Sequence, residues 1–288
     1  MSQLSQLPEA FRLAPDGDHR FLASSIGDPT VHDVVFGGQI LAQMLLASGA
    51  LSAGKDATSI HTIFARSATL TKPLEIEVEA MHDGRSLGSD TITVRQGDRL
   101  CARGLVLRMA EEADLIRHQP EMPTVDGPDQ APLSTQDMLV APGTELRVVD
   151  GVNTWDPESP VGPAELFVWI RLPDARGDVA LTQALLAYAT DGFLIATAMR
   201  PHEGIGQNMA HRSIATGVVS HTLTFHDRFE AGQWLLLAHE GTVAGRGRSY
   251  GRAQVFTEDG RAVASFVQES LIRDANPPGV PPTEQRRS

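Results

Sequence analysis

The chain repeats itself once, weakly, at an offset of about 160 residues, and that repeat limits the architectures open to it. His61-Thr62 opens the segment IHTIFARSATLTKPLEIEVEAMHDGRSLGSDTITVRQGDRLCARGLVLR, and His221-Thr222 opens SHTLTFHDRFEAGQWLLLAHEGTVAGRGRSYGRAQVFTEDGRAVASFVQESLIR. Both run in the same order: an alternating strand, a turn, an apolar strand (Leu74 to Ala80; Trp234 to Glu240), then an Arg-Ser pair (Arg85-Ser86; Arg248-Ser249). A further strand, a Gly-Asp or Asp-Gly turn (Gly97-Asp98; Asp259-Gly260) and a last strand complete each copy. Such a pattern predicts an antiparallel meander in each half.

One helix is predicted before each meander, over Gly37 to Leu51 and over Leu181 to Met199. Both segments are apolar around most of their circumference, so each helix must be buried on nearly every side. A curved antiparallel sheet wrapping one buried helix is the hotdog arrangement. The expected fold class is therefore α+β, a double hotdog of two antiparallel sheets each wrapping a central helix. Residues 1–110 are assigned to the first copy and 164–275 to the second. The stretch 111–163 holds eight prolines and little periodicity, and reads as a linker crossing the surface. Residues 276–288, rich in proline and charge, read as a disordered tail.

Composition removes several classes of function. The formal net charge is -12, which opposes a phosphate backbone, so nucleic acid is not an expected partner. It also means that an anionic ligand needs a local basic patch. No run of about 18 apolar residues occurs, so no membrane partner is expected. The N-terminus lacks the basic start and apolar core of a signal peptide. Cys101 is the one cysteine, so no intramolecular disulfide forms; it reads as a small buried apolar residue in a reducing compartment, and the expected location is cytoplasmic.

The helix opening VFGGQ (Val35 to Gln39) resembles the start of the first central helix of the acyl-CoA thioesterase II family. IHTIFAR and TKPLEIEVEAMHDGRS are similar to that family's next strands. So is the run from Leu185 to Arg273, especially YATDGFL, GQWLLL and VASFVQESLIR. The likeness covers most of the chain outside the linker and both tails, and its specificity lies in the order of the motifs over both halves. It implies hydrolysis of fatty acyl-CoA to free acid and CoA, with acyl-CoA as the partner molecule and no cofactor or metal. The family holds its attacking water with an Asp, a Thr or Ser, and a Gln. The Asp and Gln positions fall on Asp191 and Gln268, and the hydroxyl position falls on Val218, a departure. Hotdog proteins often pair sheets edge to edge, so a homo-oligomer is expected.

Read by themselves, these residues each leave a functional and a structural reading open. Leu181, Ala184, Tyr188, Asp191 and Ile195 follow three- and four-residue spacing and share one apolar stripe. An ionised carboxylate there costs several kcal/mol unless it is hydrogen-bonded. Asp191 is either a carboxylate kept to orient or deprotonate water or a buried Asp satisfied by its neighbours. Gln268 shares a strand face with Ala264, Phe266, Ser270 and Ile272; its buried amide either serves water and Asp191 or bridges strand and helix. Thr216 and Ser220 have the strand parity of Val218, so either is expected to be able to replace the missing hydroxyl after a small shift.

Gly37 and Gly38 open a helix whose free N–H groups can polarise a thioester carbonyl, or whose small size serves tight packing. Arg85, Arg246 and Arg248 are candidates for CoA phosphates, with ordinary strand-end charge as the other reading. Gly84-Arg85-Ser86-Leu87-Gly88 matches a nucleophile elbow in letters, but the alternating DTITVRQGD after it predicts a strand where an elbow needs a helix. The ten histidines show no metal-ligand spacing, and His61, His221 and His226 read as structural strand residues. Two competing readings stand beside hydrolysis: an acyl-CoA binding protein of the same fold with weak catalysis, motivated by Val218, and an enoyl-CoA hydratase. The hydratase needs an Asp–His pair, for which these positions offer no counterpart.

Overall fold

The structure is a computed structural model and describes residues 11–51, 54–134, 141 and 143–276. The tail 277–288 and the first ten residues lie outside the described residues. Two short strands open the described chain, β1 (Leu13–Pro15) and β2 (Arg20–Ala23), neither of them foreseen in the sequence. There follow α1 (Gly37–Ala50), β3 (Asp56–Phe64), β4 (Leu74–Asp83), β5 (Leu87–Gln96) and β6 (Arg99–Met109). The second half contains β7 (Glu145–Val148), β8 (Glu165–Arg171), α2 (Val179–Thr190), α3 (Leu194–Met199), β9 (Ile214–Phe225), β10 (Trp234–Gly245), β11 (Arg248–Thr257) and β12 (Ala262–Asp274).

Each half is a hotdog, but the two expected sheets are joined. All twelve strands form one sheet, in the order β1-β2-β4-β5-β6-β3-β9-β12-β11-β10-β8-β7. The join is antiparallel pairing of β3 with β9, from Ser59 opposite Thr224 to Ile63 opposite Ser220. An edge pairing anticipated between molecules is thus made inside the chain, and it hides two edges that would otherwise be open.

The central helices are buried as their all-round apolar character requires. In α1 every residue from Gly38 to Leu45 is buried, and in α2 every residue from Thr182 to Thr190. They run antiparallel against one another. A Cβ on Gly38 would lie 2.3 Å from the Tyr188 carbonyl oxygen, and one on Gly49 would lie 3.7 Å from the Ala180 methyl. Asp178 caps α2 by accepting from the Leu181 N–H at 3.0 Å. The single helix expected to Met199 breaks at Asp191-Gly192-Phe193, where Asp191 is the C-cap of α2 and Phe193 precedes α3. Glycine is among the weakest helix formers, and here it marks the interruption. By length and composition Val179–Met199 resembles a membrane span, but 78% of its most apolar window is buried inside the protein.

Residues 111–163 do more than cross the surface. They add β7 to the edge of the sheet and pack Met122, Val125, Ala131 and Val149 over Trp169, Leu236 and Phe256 on the outer face of the second hotdog. The Trp169 indole N–H donates to the Asp126 carbonyl at 2.9 Å and fixes that cover. Outside β7 the described part of the segment lacks periodicity because it follows the sheet face in irregular conformation, with its apolar residues placed where they meet the face.

Candidate active site

The site forms where the end of α2 meets the start of α1. Nothing in α1 itself caps that start: Phe36 offers no side-chain bond, and the first turn holds no acidic residue. Asp191, from the other half, takes the role. Its Oδ2 accepts the Gly38 N–H at 2.9 Å, and its Oδ1 accepts from Gln268 Nε2 at 2.9 Å. A carboxylate at a helix N-terminus is favoured by the exposed N–H groups and by the helix dipole. Gln268 arrives from β12, whose alternation turns Ala264, Phe266, Gln268 and Ser270 inward. The carboxylate and the amide expected to meet therefore do so, both buried, at 7% and 1% exposure.

Burial and hydrogen bonding act on Asp191 in opposite directions. Loss of water pushes its pKa up, the Gly38 and Gln268 donors pull it down, and the balance leaves it at about 7. A carboxyl poised there exchanges a proton at neutral pH.

His221 completes the cluster. The sequence pattern reads it as a structural strand residue, yet it is fully buried with its Nδ1 3.9 Å from Asp191 Oδ1. Thr190 donates its hydroxyl hydrogen to the Ala187 carbonyl at 2.9 Å, so its oxygen accepts from His221 Nε2 at 3.1 Å. The ring proton then sits on Nε2, and Nδ1 offers its lone pair to the Gln268 amide at 3.4 Å. Phe266 stacks on the imidazole, with centroids 5.5 Å apart. Burial pushes the His221 pKa down to about 3, which keeps the ring neutral. An Asp–His neighbourhood, the counterpart missed in the sequence, is thus present, but this histidine holds the amide in place and carries no transferable charge near neutral pH. The sequence held no signal for it: unbroken strand parity, the assumption made for Thr216, Val218 and Ser220, puts His221, five residues from Thr216, on the opposite face.

That assumption fails. β9 and β12 pair Gln268 with His221 and Glu269 with Ser220, and then slip, so that Ser270 faces Val218 and Ile272 faces Thr216. Val219 is the extra residue of a β-bulge, which reverses the face of everything beyond it. Ser220 therefore shares the outer face with Glu269 and is removed from the site. Val218 does point inward, one pair beyond Gln268. Thr216 also points inward, but it sits one pair further, about 7 Å along the strand from Val218. Neither expected substitute supplies the hydroxyl in this arrangement.

The remaining candidates divide as follows. The Gly38 N–H is used by Asp191 and is not available to a thioester carbonyl, a correction to its expected role; the glycine itself is required by the close approach of Tyr188. Gly37 lies against the carboxylate, and a Cβ there would be 2.6 Å from Asp191 Oδ2. Arg248 borders a groove of about 540 Å³ lined by Ala198, Met199, Ile205, Ile214 and Ile272, which lies beyond Ser270 along β12.

Arg85 is exposed at the β4–β5 turn, beside Ser86, whose carbonyl accepts the Ala110 N–H. Neighbouring Arg108 lines a small pocket with Ala180 at the start of α2, about 16 Å along that helix from Asp191. Arg85 is therefore not brought to the Asp191 centre. The Gly84–Gly88 segment is a hairpin turn closed by the Gly84 N–H to Leu87 carbonyl bond, not an elbow. Cys101 is buried in β6. Among the described residues no group of three His, Cys, Asp or Glu side chains is placed to hold a metal.

The first hotdog does not repeat this chemistry. Its β3–β6 pair carries a bulge at Thr58, which aligns the halves: Val106 opposite Ile60 stands where Gln268 faces His221, and Arg108 opposite Ala57 stands where Ser270 faces Val218. Apolar residues replace the amide and the imidazole, while Arg108 is consumed by a two-point contact with Asp90 at 2.9 and 3.0 Å, itself joined by Ser48.

Comparison with known proteins bears on the family and the fold. Residues 27–109 match the family model described as the acyl-CoA thioesterase N-terminal domain, and residues 117–272 match the acyl-CoA thioesterase C-terminal domain. Over 255 residues the chain is 27% identical to acyl-CoA thioesterase 2 of Haemophilus influenzae, covering 83% of this chain and 87% of that protein. Human acyl-coenzyme A thioesterase 8 is 25% identical over 262 residues, with 83% and 80% covered. Among solved structures, the tesB protein of Mycobacterium avium subs paratuberculosis superposes with a TM-score of 0.77 at 24% identity, over 93% of this chain and 99% of that one. The acyl-CoA thioesterase II TesB2 of Mycobacterium marinum gives 0.75 at 24% identity, over 96% and 99%.

Proposed function

The chain belongs to the acyl-CoA thioesterase family, and from that premise we propose that it hydrolyses fatty acyl-CoA by direct attack of water, with Asp191 as the base. The observation that carries this reading is the Asp191 carboxylate, buried, held between the Gly38 N–H and the Gln268 amide, and poised near neutral pH. Asp191 takes a proton as a water oxygen bonds to the thioester carbonyl carbon. The Gln268 oxygen accepts the water's other hydrogen, while His221 fixes the amide so that this oxygen, and not the NH2, faces the water. Charge developing on the carbonyl oxygen is met by the start of α1, with the Gly37 N–H as the donor next to the site. The C–S bond then breaks, and the proton on Asp191 passes to the departing CoA sulfur.

The groove beyond Ser270 suits an acyl chain, since seven of its lining residues carry apolar side chains, among them Met199, Ile205, Met209, Ile214 and Ile272. Arg248, at its border, is assigned to an anionic part of CoA in this reading. The buried lone cysteine and the acidic surface fit a cytoplasmic location. A homo-oligomer is proposed through the outer face of the first hotdog. There Ile63, Leu105 and Leu107 are exposed, whereas the matching face of the second hotdog is covered by residues 111–163. Sedimentation of the full chain tests that assembly, and a monomer at micromolar concentration would refute it.

The competing reading, an acyl-CoA binder with little turnover, rests on Val218 facing the site without a hydroxyl. Thiol release from a panel of short, medium and long acyl-CoAs separates the two. Saturable turnover is expected. Saturable binding of CoA esters with no thiol release above background would overturn the hydrolase.

A further inference from the structure

Val218 faces the site from β9 without a hydroxyl, and the residue directly across from it on β12 is Ser270. Cross-strand partners point to the same face with Cβ atoms about 4.5–5.5 Å apart, so a hydroxyl at either position reaches nearly the same space. Ser270 is 1% exposed, and the residue directly across from it on β11 is the buried Ser249. Its Oγ–H points to Gln268 Oε1, at 3.4 Å. That is long for a hydroxyl donor, whose ordinary distance is about 2.7–2.8 Å. The hydroxyl thus leans towards the one oxygen of the cluster that Asp191 and His221 leave unused, because both of them engage the Gln268 nitrogen. A buried hydroxyl with one stretched contact has capacity to spare. In the first hotdog the equivalent position is Arg108, tied to Asp90, so the feature belongs to the reactive half alone.

From this register and these contacts we propose that Ser270 is a third holder of the attacking water, the hydroxyl having been relocated across the strand pair from 218 to 270. The inference rests on the hydrolytic reading given above and extends it. The water donates one hydrogen to Asp191 and the other to Gln268 Oε1. The Ser270 O–H donates to one lone pair of the water oxygen and leaves the second aimed at the carbonyl carbon. Ser270 exchanges no proton with the substrate. Its contribution is orientation, and it appears in kcat rather than in KM.

The test uses the full chain and a medium-chain acyl-CoA, with kcat and KM read from thiol release at pH 8 and thermal melting run in parallel. Ser270→Ala is expected to lower kcat about tenfold, the effect of one hydrogen bond to a reacting group, with KM within twofold of the parent. Adding Val218→Thr to that variant is expected to restore kcat to within about threefold, because a hydroxyl returns to the shared space. If Ser270→Ala melts early, Ser270→Cys keeps the volume with a weaker donor and is expected to show the same loss in kcat.

Full kcat in Ser270→Ala, alongside an inactive Asp191→Asn, overturns the role of Ser270 and leaves hydrolysis by Asp191 standing. A loss that Val218→Thr does not repair also overturns it, since a relocated hydroxyl must be replaceable from 218. Equal rates in Asp191→Asn and the parent overturn the hydrolytic reading itself.

Discussion

Replacing Gln268 with Met removes an amide of similar shape and so isolates what the amide does to Asp191. In the parent, Gln268 Nε2 donates to Asp191 Oδ1 at 2.9 Å, and the Gly38 N–H donates to the other oxygen. Burial opposes both and leaves the carboxyl at about 7. Hydrolysis requires the ionised form, so kcat/KM rises about tenfold for each pH unit below that value and levels off above it. A hydrogen bond to a charged group contributes about 1.5–3 kcal/mol, and about 1.4 kcal/mol corresponds to one pH unit. Without the amide the proton is held more tightly, and the acid limb moves upward by about one to two pH units. The plateau also falls, because Gln268 no longer accepts from the water. The assay is kcat/KM from pH 5 to 9.5 for both proteins, following thiol release with a chromophore whose response is calibrated at each pH. A limb that stays in place in Gln268→Met, or moves down, refutes the claim that this amide stabilises the ionised carboxylate. A parent limb near pH 4 refutes the claim that burial dominates.

Two further outcomes follow from packing and charge. Gly37→Ala places a Cβ 2.6 Å from Asp191 Oδ2 and should cut kcat more than tenfold, whereas Gly38→Ala meets the Tyr188 carbonyl at 2.3 Å and should also lower stability by about 1–3 kcal/mol; kinetics and urea unfolding of the two variants distinguish the effects. Arg108→Met strips the charged partner from Asp90, whose side chain is 2% exposed, and should cost about 3–5 kcal/mol in urea unfolding with kcat unchanged, because the pair lies in the hotdog that carries no chemistry.

Much of this was legible in the sequence. The paired meanders and the two core helices follow from periodicity, and the convergence of Asp191 with Gln268 is what the resemblance to the thioesterase family implies. What escaped is physically coherent. Ser220 was placed on the inner face because strand parity was carried through Val219, and a bulge leaves no mark in a run of small and β-branched residues. His221 looked structural because its role depends on Thr190 and Gln268, 31 and 47 residues away in sequence. The sequence points Gly38 at the substrate, but the uncapped start of α1 already holds an anion, supplied from 153 residues away. Asp191 reads as part of a continuous helix because Gly192 is the one local sign of the break. The cover formed by residues 111–163 was hidden by its lack of period.

One measurement bears most directly on the account: single-turnover hydrolysis of a medium-chain acyl-CoA at pH 8 by the parent and by Asp191→Asn, each shown to be folded by its melting curve. Loss of general-base catalysis should slow the chemical step by about 10²–10⁴-fold in the variant. Equal rates would mean that the carboxylate held between Gly38 and Gln268 does not activate the water.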